Sequence, residues 1–135
     1  MKPNTVREGV RWLPEKETDV FFITLNKSDK DYSPTTMYND YSINEILFHW
    51  QSQSNTADTS TTGQRYIHHK EIGSKVLLFV REFKNDTFGN TAPYTFLGTA
   101  SYVKHNGSKP MNVTWKLDKP IPAKYLKKTN KLVVG

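Results

Sequence analysis

The chain contains no cysteine, which excludes disulfide stapling and thiolate zinc sites. It has no apolar run approaching the length of a membrane span, and Met1-Lys2-Pro3-Asn4 lacks the apolar core of a signal peptide. A soluble, cytoplasmic protein with no membrane partner is expected. Catalytic signatures are missing too: there is no Gly-rich phosphate loop, no Gly-x-Ser-x-Gly elbow, no His-Glu-x-x-His and no cysteine nucleophile. His68-His69 comes nearest to a metal motif, but adjacent histidines diverge on a helix or strand and no third ligand is in view. No catalytic residue, metal or cofactor is therefore expected. Acidic residues are scarce at one end, where residues 104–131 hold eight lysines and a single acid, Asp118, for a net +7; the first 103 residues carry −1 of the total +6. Such a patch, including Lys124, Lys127 and Lys128, attracts polyanions through counterion release, with a solvated lysine-rich surface as the plain alternative.

At 135 residues, with 36% hydrophobic and 13% aromatic side chains, the chain can bury one core of ordinary size. Residues 1–18 read as a polar entry segment with a short strand at Trp12-Leu13, and 19–135 as a single domain. Val20–Leu25 is apolar on both faces, as a buried strand is. In Ile46–Gln51, Ile46, Phe48 and Trp50 point one way and Leu47, His49 and Gln51 the other. Seven of the eleven residues from Ser52 to Thr62 are Ser or Thr, so an exposed, mobile loop is expected there. Thr62–Ile72 reads as a short helix closed by Gly73, and Lys75–Phe83 as the strongest strand. Tyr94, Phe96, Gly98, Ala100 and Tyr102 are expected to share one strand face. Asn106-Gly107 signals a hairpin. Its partner strand, Met111–Leu117, alternates, with Val113, Trp115 and Leu117 inward and Asn112, Thr114 and Lys116 outward. Pro120-Ile121-Pro122 ends that strand, and 123–128 can form one helical turn or two. Five or six strands with only short helices and no βαβ rhythm predict a mainly β (α+β) fold, a small mixed β-barrel.

The chemistry concentrates between Tyr38 and Ile67, where rings, amides, a carboxylate and a guanidinium fall within thirty residues. These are the groups that sandwich a nucleobase, read its edge and hold a phosphate. Tyr38, Tyr41 and Trp50 are candidate pocket walls, although an apolar-face Trp equally serves as core. Asp40, His49 and Gln51 are candidates for the base edge, with a turn or cap role as the alternative for Asp40. Gln64 and Arg65, after Gly63, are candidates for backbone contact together with the C-terminal lysines; plain surface charge is the other possibility.

Tyr38-Asn-Asp-Tyr41, Leu47-Phe-His-Trp-Gln-Ser-Gln53, Thr62-Gly-Gln-Arg-Tyr-Ile67, Leu78-Phe-Val-Arg-Glu82, Ala92-Pro-Tyr-Thr-Phe-Leu-Gly98 and Trp115-Lys-Leu with Pro120-Ile-Pro-Ala123 resemble an uncharacterised domain at the C-terminus of large bacterial helicase proteins. There it follows a superfamily 2 helicase and often a phospholipase-D-type nuclease. The resemblance runs from about Val20 to Gly135. It implies a PUA-like specificity domain of an ATP-dependent, modification-dependent restriction system serving antiviral defence. Double-stranded DNA carrying 5-methylcytosine or 5-hydroxymethylcytosine is the implied partner, read by base flipping, with helicase and nuclease modules linked or associated. A PUA-like RNA binder and a protein-docking module are the alternatives.

Overall fold

The computed structural model describes residues 9–26 and 40–126. Seven strands, β1 (Gly9–Leu13), β2 (Thr18–Asn26), β3 (Tyr41–Ser42), β4 (Leu47–Gln51), β5 (Lys75–Phe83), β6 (Thr95–Asn106) and β7 (Asn112–Leu117), accompany two short helices, α1 (Thr61–Ile67) and α2 (His69–Ile72). The strands form one sheet in the order β1-β2-β5-β6-β7-β4-β3. Its pairs are antiparallel except β2–β5, which is parallel. The fold is thus mainly β and mixed, as the strand pattern indicates. Closure into a barrel is not found: among the described residues β1 and β3 end the sheet and no ladder joins them.

The sheet is nevertheless tightly rolled. Phe21 on β2 and Trp50 on β4 lie four strand steps apart in the sheet order, roughly 19 Å in a flat sheet at about 4.8 Å per step. Their ring centroids are 4.2 Å apart, so the strands must coil until the two rings meet across the concave side. Tyr66 of α1 packs against both, fully buried, with its ring edge-on to Phe21 at 5.6 Å and to Trp50 at 5.4 Å. Trp115 of β7 closes the cluster, 5.4 Å from Phe21. Burial pushes the Tyr66 hydroxyl up to about 12.

The helical segment is held by local chemistry. Ser60 caps α1 by accepting the Gly63 N–H at 3.0 Å. Gly63 is needed at that point, because a Cβ there would overlap the Ala57 carbonyl oxygen. The sequence expects one short helix closed by Gly73; the structure breaks it at His68 into α1 and α2, and Gly73 ends the second in the left-handed region at φ +81°. His69 is buried beneath the sheet. Its Nε2 accepts the Tyr102 N–H at 3.1 Å while Nδ1 lies 3.2 Å from the Ser74 carbonyl oxygen. That pair of bonds uses the neutral ring with the proton on Nδ1, and burial lowers the histidine's affinity for a second proton.

β6 departs from the expected alternation. Leu78 pairs with Gly98 but Phe79 with Phe96, so Leu97 is an extra residue in the ladder, and Gly98 accommodates it at φ +113°. Leu97 consequently turns into the core, whereas Phe96 is 52% exposed; the five residues expected on one face are split between two. A second bulge lies at Val103, between the pairs Tyr102–Trp115 and Lys104–Thr114. Residues 123–126 form a helical turn. Among the described residues no helix is long and apolar enough to cross a membrane.

Candidate nucleic-acid interface

With Phe48, Trp50, Val113 and Trp115 turned into the core, strand alternation sends Leu47, His49, Gln51, Asn112, Thr114 and Lys116 to the outer face of the sheet. Directly paired residues share a face, so the registers lay out three rows: Leu47–Lys116–Ser101, Tyr41–His49–Thr114–Lys104 and Gln51–Asn112–Asn106. Successive rows are roughly 7 Å apart along the strands. The bulge at Val103 decides the composition of the middle row. Without it Lys104 would share the inward face of Tyr102; with it Lys104 pairs with Thr114 and joins the outer face.

The rows carry rings, amides and cations. Tyr41 and His49 stack with centroids 4.7 Å apart and planes 17° from parallel. Gln51 Nε2 donates to Asn112 Oδ1 at 3.3 Å. Lys104 and Lys116 are exposed, and among the described residues neither takes part in an ion pair. No carboxylate belongs to any row. Asp40 sits at the end of β4, 8% exposed, with Oδ1 accepting the Gln51 N–H at 2.9 Å.

Beside the last row the polar segment 52–60 is fastened to the β6–β7 hairpin. Ser52 Oγ accepts the Met111 N–H at 2.8 Å and the Thr56 carbonyl accepts the Lys109 N–H at 2.9 Å. His105 bridges the two elements, with Nε2 3.1 Å from an Asp58 oxygen and Nδ1 2.7 Å from the Tyr102 hydroxyl. The hydrogen bond from His105 holds the Asp58 carboxyl below its ordinary range. An exposed, mobile loop is expected here from composition. Gln53, Ser54, Asn55, Thr59 and Thr61 are exposed in keeping with that, but Ser52 and Thr56 are each 7% exposed, because the Ser52 hydroxyl and the Thr56 carbonyl take up backbone N–H groups of the hairpin.

The sequence candidates separate accordingly. Tyr41, His49 and Gln51 come together on the outer face. Trp50 is corrected from pocket wall to core: it is 4% exposed and its ring is packed by Phe21 and Tyr66. Asp40 is corrected from edge reader to support, its carboxylate being buried against the strand backbone. Arg65 is corrected from backbone contact to structural ion pair. Its Nε and Nη2 donate to the two oxygens of fully buried Asp19 at 2.7 and 2.8 Å, and its guanidinium lies 4.2 Å over the Trp12 ring. Gln64 donates to the Asp58 carbonyl at 2.8 Å and lines a shallow groove on α1 and α2 with Arg65 and His68. Lys124 pairs with Glu82 of β5 at 3.7 Å. Tyr38, Lys127 and Lys128 lie outside the described residues. Among the described residues no group of three or more His, Cys, Asp or Glu is placed to hold a metal.

Lys104, Asn106, Asn112 and Lys116 complete the face and were not singled out by motif. Alternation alone marks Asn112 and Lys116 as outward; nothing in the sequence marks Lys104, since its orientation depends on the bulge. A comparison with curated proteins finds no match. A family profile, described as a domain of unknown function (DUF3427), matches residues 2–128, and the chain therefore belongs to that family.

Proposed function

We propose that this domain is a non-catalytic reader of modified cytosine in DNA, serving as the specificity module of a helicase- and nuclease-containing restriction system. One observation supports the nucleic-acid part. A single sheet face carries a stacked Tyr41–His49 pair, the amides of Gln51, Asn106 and Asn112, and two lysines that have no ionic partner among the described residues, and its rows contain no carboxylate. Lysines of that kind supply affinity and register, while rings and amides supply base selection. The choice of modified cytosine, and of helicase and nuclease partners, comes from the resemblance of the motifs between Tyr38 and Ala123. Extruding a base costs a few kcal/mol, which stacking and edge hydrogen bonds offset. A pocket sized for the added methyl group contributes about 1–3 kcal/mol of discrimination.

The test is titration of this chain into duplexes identical except for 5-methylcytosine or 5-hydroxymethylcytosine, across a broad set of contexts and at salt where non-specific binding is weak. Tighter binding of a modified duplex is expected. Equal affinities throughout would reject the reader, and preference for a single-stranded RNA would move the same face to the RNA-binding alternative.

Protein docking draws on a separate observation. Across β2, β5 and β6 the outer face is aromatic, with Phe22, Phe79 and Phe96 in contact at 5.5 and 4.9 Å. A docking module would bind its partner there and leave DNA affinity unchanged when those rings are trimmed.

A further inference from the structure

We propose that the Gln51–Asn112 amide pair is the part of this face that reads a base edge, and that the edge it fits is the adjacent amino group and ring nitrogen of a cytosine drawn out of its stack. Resting on the modified-cytosine reading above, this assigns a residue, Asn112, that no motif marked.

The two side chains stand directly opposite each other on β4 and β7 and are tied by one hydrogen bond, Gln51 Nε2 to Asn112 Oδ1 at 3.3 Å. A primary amide offers an NH₂ group and a carbonyl oxygen. The bond between the pair uses one NH₂ and one oxygen and leaves, side by side, one carbonyl acceptor and one NH₂ donor. That remainder is the same whichever way round the two amides are set. Among the described residues no further side-chain partner occupies either amide. A cytosine N4 amino group beside N3 presents the complementary donor and acceptor, and those atoms are free only when the base is unpaired.

The surroundings keep the pair in place. Asp40 Oδ1 takes the Gln51 N–H at 2.9 Å and fixes the end of β4. Gly107, at φ +76°, turns the hairpin beside Asn112, where a Cβ would come within 3.4 Å of Asn112 Nδ2. In the adjoining row stand the Tyr41–His49 stack and Lys104, with Lys116 one row further. The edge reader, then the ring stack with Lys104, then Lys116 thus occupy successive rows roughly 7 Å apart, close to the length of a base.

The experiment compares wild type, Asn112→Ala and Gln51→Ala in binding three duplexes of one context: modified cytosine, unmodified cytosine, and adenine at the target position. Thermal melting verifies that each variant is folded. Wild type is expected to prefer the modified duplex. Each variant is expected to lose about tenfold or more of its affinity for the modified duplex, with binding to the adenine duplex and its salt slope unchanged. The two changes lie on different strands, so one unstable variant leaves the other to decide. If both variants keep the wild-type affinity for the modified duplex, the amide pair is only an interstrand clip; the assignment is overturned while the reader stands. If wild type prefers the adenine duplex and the variants lose that preference, the pair reads a major-groove adenine edge and the cytosine assignment is overturned. If wild type discriminates among none of the three, the reader falls and this assignment with it.

Discussion

The α1 end of the core and the outer face of β4, β7 and β6 both hold cations, in opposite circumstances. Arg65 spends its fork on Asp19, which has no exposure at all, and covers its remaining surface with Trp12. The hydrogen bonds it donates to Asp19 hold the guanidinium even more firmly protonated. Lys104 and Lys116 stand in solvent beside amides and rings, with no acid in their rows. A buried charge must be paired or it costs several kcal/mol, whereas an exposed lysine is under no such demand. Charge alone therefore says little about function. An unpaired cation on an acid-free face is the one with interactions left to make.

The largest effect that can break this comparison comes from Arg65. Arg65→Ala strands the Asp19 carboxylate in the core and should lower unfolding free energy by about 3–5 kcal/mol in denaturant titration. Combining it with Asp19→Ala should cost less than the two single changes added together, because the pair fails as a unit. A variant of normal stability that has lost DNA affinity would return Arg65 to the interface.

A smaller effect tests the other region. Lys104→Ala with Lys116→Ala should weaken DNA binding alike for modified and unmodified duplexes and reduce the slope of log affinity against log salt by about two, near 0.9 for each phosphate contact. Stability should stay within about 0.5 kcal/mol of wild type. Lys124→Ala, removing a cation already shared with Glu82, serves as the comparison and should change the slope less. Equal slopes for the double variant and wild type would reduce the face to solvated charge.

The smallest effect concerns pH. Burial depresses His69 below its ordinary 6.5, so the unfolded chain takes up a proton that the folded chain resists. The stability tied to this group is complete above about pH 6.5 and is lost as the pH falls from there toward the folded value. The melting temperature should accordingly drop between about pH 7.5 and pH 5, and His69→Gln should flatten part of that drop. An unchanged drop in the variant would assign the acid sensitivity to other groups.

Much of the architecture is legible in the residues. Val20–Leu25 appears as a strand because a short apolar run on both faces marks one buried on both sides, Lys75–Phe83 because period-two burial is written locally, and Gly73 ends the helical segment because only glycine enters the left-handed region without strain. His49 and Gln51 are legible as outward for the same reason. Trp50 illustrates the limit: alternation marks it as inward, but an inward Trp is a pocket wall or a core residue depending on what fills the concave side. Tyr66 and Phe21 fill it. The segment 52–60 fails differently, since a run of serines and threonines looks solvated until a hairpin fifty residues away supplies partners for it.

By itself, then, the sequence determined the mainly β class, the alternating faces of β4 and β7, the end of the helical segment at Gly73, and the excess of lysine after residue 103. These are short-range properties, set by backbone geometry and by which side chains follow one another. Tertiary structure alone decided that the sheet rolls without closing, that Lys104 turns outward at a bulge, that Arg65 belongs to Asp19 and not to a ligand, and that Gln51 meets Asn112. Each depends on partners brought together from distant parts of the chain, and the energy of a buried charge or a paired amide exists only once those partners are in place.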